Sequence, residues 1–103
     1  MRDVYLAHLD KPRPCLILTR TAVLQVRDLV TVAGITSTIR GTSAEVRVGA
    51  EEGVHLASVV NCDNIQTISV DDLIRPVGIF SSDREPELAA AVMAAFDLDP
   101  GNG

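Results

Sequence analysis

The sequence predicts a mainly β domain, a small and strongly bent β-barrel or pair of sheets carrying one C-terminal α-helix. Three observations predict it. Short apolar runs of strand length recur between turn signals from residue 3 to residue 80. The hydrophobic period changes from about two to about 3.6 only once, beyond residue 80. The chain has 103 residues, enough by area scaling to bury about two-thirds of its extended surface but not to build a second core. Residues 1–99 are therefore expected to form a single domain and residues 100–103 a frayed tail.

The elements follow in order. Residues 3–9 alternate Val4, Leu6 and Leu9 with polar positions and read as a first strand. DKPRP then breaks the chain, because two prolines two apart cannot enter a helix and mark a turn. PCLILT (14–19) is a continuous apolar run too short for a helix, the pattern of a strand buried on both faces. Residues 20–28 are polar and charged and read as loop or a short helical turn, and LVTVAGI (29–35) as a β-branched strand. The hydroxyl-rich TSTIRGTS (36–43) reads as loop or strand edge. AEVRV (44–48) alternates as a strand, and GAEEGVH (49–55) turns the chain. LASVVNC and IQTISV, separated by Asp63 and Asn64, read as one long bent strand or a bulged pair. DDLIRP (71–76) reads as a single helical turn before the short strand VGIF (77–80). With Asp83 as N-cap and Pro86 third in the helix, Leu88, Val92 and Phe96 fall on one face of a terminal helix of three to four turns.

Composition narrows the chemistry. Apolar residues make up 47% of the chain and aromatics 3%, so the core rests on Val, Ile, Leu and Ala, and disorder is excluded. Cys15 and Cys62 stand in apolar runs outside any CxxC or Cys/His cluster and read as buried hydrophobes rather than a disulfide. His8 and His55 lack metal-ligand spacing, so neither a metal nor another cofactor is expected. No run reaches signal-peptide or membrane-span length, which predicts a cytoplasmic protein without a membrane partner. The net charge of −5 argues against broad nucleic-acid binding, but it is unevenly divided. Residues 1–50 carry seven basic groups against four acidic, whereas residues 51–103 carry two against ten. Eight of the nine cations are Arg, whose planar fork suits phosphates and base edges.

Three stretches taken together, KPRPCLIL, VAGITSTIRG with AEVRV, and SVVNCDNIQTI followed by RPVGIFS and the terminal helix, resemble the MazF/PemK-like toxins of toxin–antitoxin pairs. The likeness spans roughly residues 3–98. It implies a compact SH3-like barrel of the CcdB/MazF/PemK type, acting as a sequence-selective endoribonuclease on single-stranded RNA. It further implies a homodimer, neutralised by a cognate antitoxin and able to arrest growth. Arg13 matches the Arg that opens the family's R-P strand, and Thr36 the hydroxyl residue after its I-T turn, so the resemblance implies these two as the catalytic pair. Such types suit metal-independent cleavage, in which the ribose 2′-OH attacks phosphorus to leave a 2′,3′-cyclic phosphate and a 5′-OH. The developing phosphoryl charge needs a fixed cation and a donor.

The proton acceptor has two candidates. In part of the family an acid at the position of Asp63 is the base, with an Arg two residues earlier as the acid; here that earlier residue is Asn61, which cannot deliver a proton. His8 is the alternative, since histidine titrates nearest neutral pH. Arg20, Ser37, Arg40 and Asn61 are expected substrate contacts. Besides Asn61, the chain departs from the family in three places: only DKPR joins its first two strands, Gly34 replaces a usual Pro, and Asn64 stands where Gln is commoner. The rival reading is a non-catalytic binding module on the same barrel, a gyrase-poison-like toxin or a silent regulator.

Overall fold

In the computed structural model, which describes residues 1–24 and 26–99, the apolar runs become six strands. They are β1 (Arg2–His8), β2 (Pro12–Ile17), β3 (Leu29–Thr36), β4 (Glu45–Val48), β5 (Ser58–Ser69) and β6 (Leu73–Phe80). A four-residue helix α1 (Thr21–Leu24) follows β2, and α2 (Glu85–Ala95) ends the fold. The expected fraying of residues 100–103 lies outside the described residues.

All strands join one curled antiparallel sheet in the order β4-β5-β3-β2-β1-β6, a half-barrel with β4 and β6 at its edges. The period-two alternation sorts side chains between two cores. Val4, Leu16, Ala33, Ile35, Val46, Val60, Cys62 and Phe80 fill the larger one, capped by Leu88 and Ala91 of α2. Ala7, Cys15, Ile17, Val30 and Val32 form a smaller core on the opposite face. Strands β2 and β3 are thus buried on both faces, the arrangement expected of PCLILT. Both cysteines are free and buried, and burial alone pushes the Cys15 thiol up to about 11.

Strand β2 starts earlier than expected, so both prolines of DKPRP lie inside it. Successive strand residues direct their N–H groups to alternate sides, so Pro12 and Pro14 withhold donors from the same side. That side has no partner there, because pairing with β3 begins only at Cys15. The expected helical turn at 71–76 is corrected: a 3₁₀ turn covers Val70–Asp72 and β6 runs from Leu73, with Arg75 opposite Leu6 and Pro76 opposite Tyr5. An edge strand has one free side, and there Pro76 costs no ladder bond.

The helix entry is corrected too. The Ser81 hydroxyl accepts from the Asp83 N–H, a 3₁₀ turn covers Ser82–Arg84, and α2 starts at Glu85, so Asp83 is not its cap and Pro86 is its second residue. The buried stripe is Leu88 and Ala91 with Val92 and Ala95 beside them, whereas Phe96 lies beyond the helix and 56% exposed. Arg84 ties this end together. Its guanidinium stacks 5.0 Å from the Phe80 ring centroid and donates to the Arg47 carbonyl at 2.6 Å and to both Glu87 and the buried Glu52. On the other flank Arg2 bonds the Glu85 carboxylate and the Leu18 carbonyl, holding the Glu85 carboxyl below its ordinary range.

Candidate active site

Arg13 shares its phase on β2 with Cys15 and Ile17, and Thr36 shares its phase on β3 with Val30, Val32 and Gly34. Both therefore belong to the sheet face of the smaller core, away from α2. There they line one cavity of about 490 Å³ together with Leu9, Asp10, Gly34, Thr38, Arg40, Glu45, Asn61, Asn64 and Gln66. A shallower depression of about 400 Å³ also includes Arg13 and Thr36 and continues past Lys11, Ser37, His55 and Leu56. The two hollows make a groove that passes the Arg13–Thr36 pair on both sides.

One of the groove's cations is held by a carboxylate. Arg13 donates from Nε to Asp10 Oδ1 at 2.8 Å and from Nη2 to Oδ2 at 3.2 Å, a fork closing the turn between β1 and β2. This hydrogen bonding holds the Asp10 carboxyl down at about 2. Arg13 Nη1 makes no such bond and stays available to a ligand. The Thr36 hydroxyl accepts from the Thr38 N–H at 3.1 Å, so its own proton is left to donate.

Glu45 organises the loop behind the pair. Its carboxylate accepts from the backbone N–H groups of Gly41 at 2.7 Å, Arg40 at 3.1 Å and Thr42 at 3.2 Å. Desolvation pushes the Glu45 carboxyl up, but these three bonds and the nearby Arg40 charge outweigh it and leave it below its ordinary range. The loop, with Gly41 at φ +77, presents Arg40 to the cavity.

The structure brings Arg13, Thr36, Arg40 and Asn61 to one cavity and Ser37 to its continuation. Asp63 is exposed on β5, with its N–H donated to Asn61 Oδ1, and is not among the lining residues; nor is His8 at the end of β1. Arg20 lines a different cavity, beside Met1, Thr19 and Glu85. Sequence reasoning missed Asp10, Glu45 and Gln66 and noted Asn64 only as a departure. Opposite charges three apart across a turn were the available signal for Asp10, and amides two apart on one strand for Asn64 and Gln66. Among the described residues no group of three His, Cys, Asp or Glu side chains is placed to hold a metal, and no helix is long and apolar enough to cross a membrane.

Comparison with known proteins gives three findings. The family model described as PemK-like, MazF-like toxin of type II toxin-antitoxin system matches residues 2–96. The chain is 52% identical over 99 residues, 96% of each chain, to Endoribonuclease MazF3 of Mycobacterium tuberculosis. Its fold superposes on that of Mycobacterium tuberculosis toxin MazF-mt6 with a TM-score of 0.93 at 52% identity, covering 95% of this chain and 99% of that one. An endoribonuclease in complex with its cognate antitoxin, from a mycobacterial species, follows at TM-score 0.83 and 26% identity, with 94% and 93% covered.

Proposed function

Because the chain belongs to the PemK-like, MazF-like toxin family of type II toxin–antitoxin systems, we propose that the outer-face groove is where it cuts RNA. It is an endoribonuclease, the toxin of a toxin–antitoxin pair. The observation that carries the placement is the convergence of Arg13, Thr36 and Arg40 on one cavity, two guanidinium groups and a hydroxyl donor around a space that an extended strand can enter.

The chemistry follows from those groups. Single-stranded RNA lies along the groove with a phosphate at Arg13. The 2′-OH of the ribose whose 3′-oxygen carries that phosphate attacks phosphorus, a P–O2′ bond forms, and the bond to the next nucleotide's 5′-oxygen breaks. Arg13 Nη1 and the Thr36 hydroxyl donate to the phosphoryl oxygens as charge grows on them. Asp10 keeps the Arg13 fork in place before substrate arrives, so no reorganisation is needed at the reacting centre. The 2′-OH proton passes to Asp63 or His8, each next in sequence to a lining residue, Asn64 and Leu9, and the leaving oxygen takes its proton from solvent because Asn61 has none to give. No step requires a metal. The Asp63→Asn and His8→Gln variants identify the acceptor: its loss removes cleavage while RNA affinity persists.

The protein works in the cytoplasm as a homodimer, and its antitoxin covers the groove. Incubating RNA and DNA strands of one sequence with the protein in excess EDTA tests the reading. RNA is expected to be cut and DNA left intact. RNA bound but uncut would return the chain to the binding-module reading.

A further inference from the structure

The cavity beside Arg13 has an unusual wall. Asn61, Asn64 and Gln66, all from β5, line it with three uncharged carboxamides. A regular strand would not allow this, since residues 61 and 64 have opposite parity and would face opposite sides. The register against β3 explains how it happens. Ala33 pairs with Ile65, whereas the next residue, Gly34, pairs with Asn61, so residues 62–64 bulge out of the ladder. Before the bulge Val60 and Cys62 enter the larger core; after it Ile65 packs there instead. The phase flips across the bulge, and Asn64 and Gln66 join Asn61 on the groove face.

Gly34 is the other half of the device. A Cβ built on Gly34 would stand 2.5 Å from Asn64 Nδ2 and 3.5 Å from its Cγ, with no other group of the protein closer than Asn64. The Asn64 amide nitrogen therefore sits over the Gly34 backbone, in space that a side chain at position 34 would occupy. Two of the positions that set this sequence apart from the family pattern, Gly34 and Asn64, approach each other here. Asn61 spends its Oδ1 on the Asp63 N–H, while the described residues give Asn64 and Gln66 no side-chain hydrogen bond. Free amides beside a phosphate-binding Arg have the chemistry for reading base edges, because each offers a donor and an acceptor in one plane.

We infer that Asn64, seated on Gly34, sets base preference at one nucleotide next to the cut, with Gln66 as its neighbour in the same wall. This rests on the endoribonuclease reading of the groove. Its content is selectivity, whereas Arg13 and Thr36 supply the chemistry.

The test uses the full chain and a pool of RNA strands randomised over several positions, with every cut end sequenced. Wild type is expected to show a base preference that Asn64→Ala weakens on the order of tenfold or more at one position, with other positions unchanged. Gly34→Ala, which pushes the amide away, is expected to weaken preference at that same position. Thermal melting of the single and double variants guards against simple unfolding. Gly34→Ala should lower the melting temperature in the wild-type background and do so far less when Asn64 is already Ala, because the clashing group is gone. Cut-site preferences identical in wild type and Asn64→Ala would overturn the inference, as would a Gly34→Ala penalty indifferent to Asn64. If the wild-type protein cuts no RNA at all, the functional reading fails first, and this inference with it.

Discussion

Arg13 is positioned before any RNA arrives, and its carboxylate partner makes that measurable. The Asp10 carboxyl is lowered from 3.8 to about 2 by the hydrogen bonds from Arg13. A carboxyl depressed in the folded state contributes in full above its unfolded value and loses that contribution as pH falls through its folded one, so the pair holds above 3.8 and opens near 2. NMR titration of the Asp10 carboxyl should give a midpoint near 2 in the wild type and a return toward 3.8 in Arg13→Ala. In the proposed mechanism Arg13 is a charged donor to the transition state, so Arg13→Ala should slow cleavage by on the order of 10²–10³-fold while the melting curve shifts little, because the Asp10–Arg13 pair is exposed. Thr36→Val, which keeps shape and deletes the hydroxyl, should cost less than Arg13→Ala but more than an ordinary surface change. Glu45 acts at one remove, through the loop it anchors. Glu45→Ala frees three backbone N–H groups and should raise KM through a misplaced Arg40 while sparing kcat. Wild-type KM in that variant would show the loop to be self-supporting.

At the scale of the element, the reach of the sequence depended on whether local pattern or pairing decided each boundary. PCLILT was legible because burial on both faces leaves an unbroken apolar run, and β2 and β3 are buried on both faces. The strand at Leu73–Phe80 was half hidden, because Arg75 and Pro76 look like turn residues until β6 is known to be an edge. The helix was legible to Val92 and no further: Phe96 continues the four-residue spacing, but the helix stops at Ala95 and leaves the ring exposed. Two substitutions test that boundary by urea unfolding. Leu88→Ala, opening a cavity under α2, should cost about 2–5 kcal/mol. Phe96→Ser should stay within about 0.5 kcal/mol. In the site, Arg13 and Thr36 were reachable through motif resemblance. The bulge itself was legible, since a bent or bulged strand was expected about Asp63 and Asn64; that it turns Asn64 and Gln66 to the groove follows from the register against β3, which a single sequence does not display.

For the whole molecule, the uneven charge explains less than the sequence suggested. The cavity does gather Arg13 and Arg40, but Asp10 pairs the Arg13 guanidinium and the Glu45 carboxylate lies close to Arg40, so the groove is not a bare cationic surface. Arg20, beyond this groove, should matter less to RNA affinity than Arg40, and the Arg40→Ala loss should shrink as salt screens exposed charge. If a second copy completes the groove, as the family resemblance implies, sedimentation should find a dimer; full activity from a dilute monomer would contradict a shared groove. The central claim, that the substrate's own 2′-OH is the nucleophile at Arg13 and Thr36, is tested most directly by one atom of the substrate. An RNA strand carrying a single deoxyribose at the mapped cut site should resist cleavage there, while the all-ribose strand yields a 2′,3′-cyclic phosphate and a 5′-OH. Cleavage of the deoxyribose strand at that same bond would contradict the account.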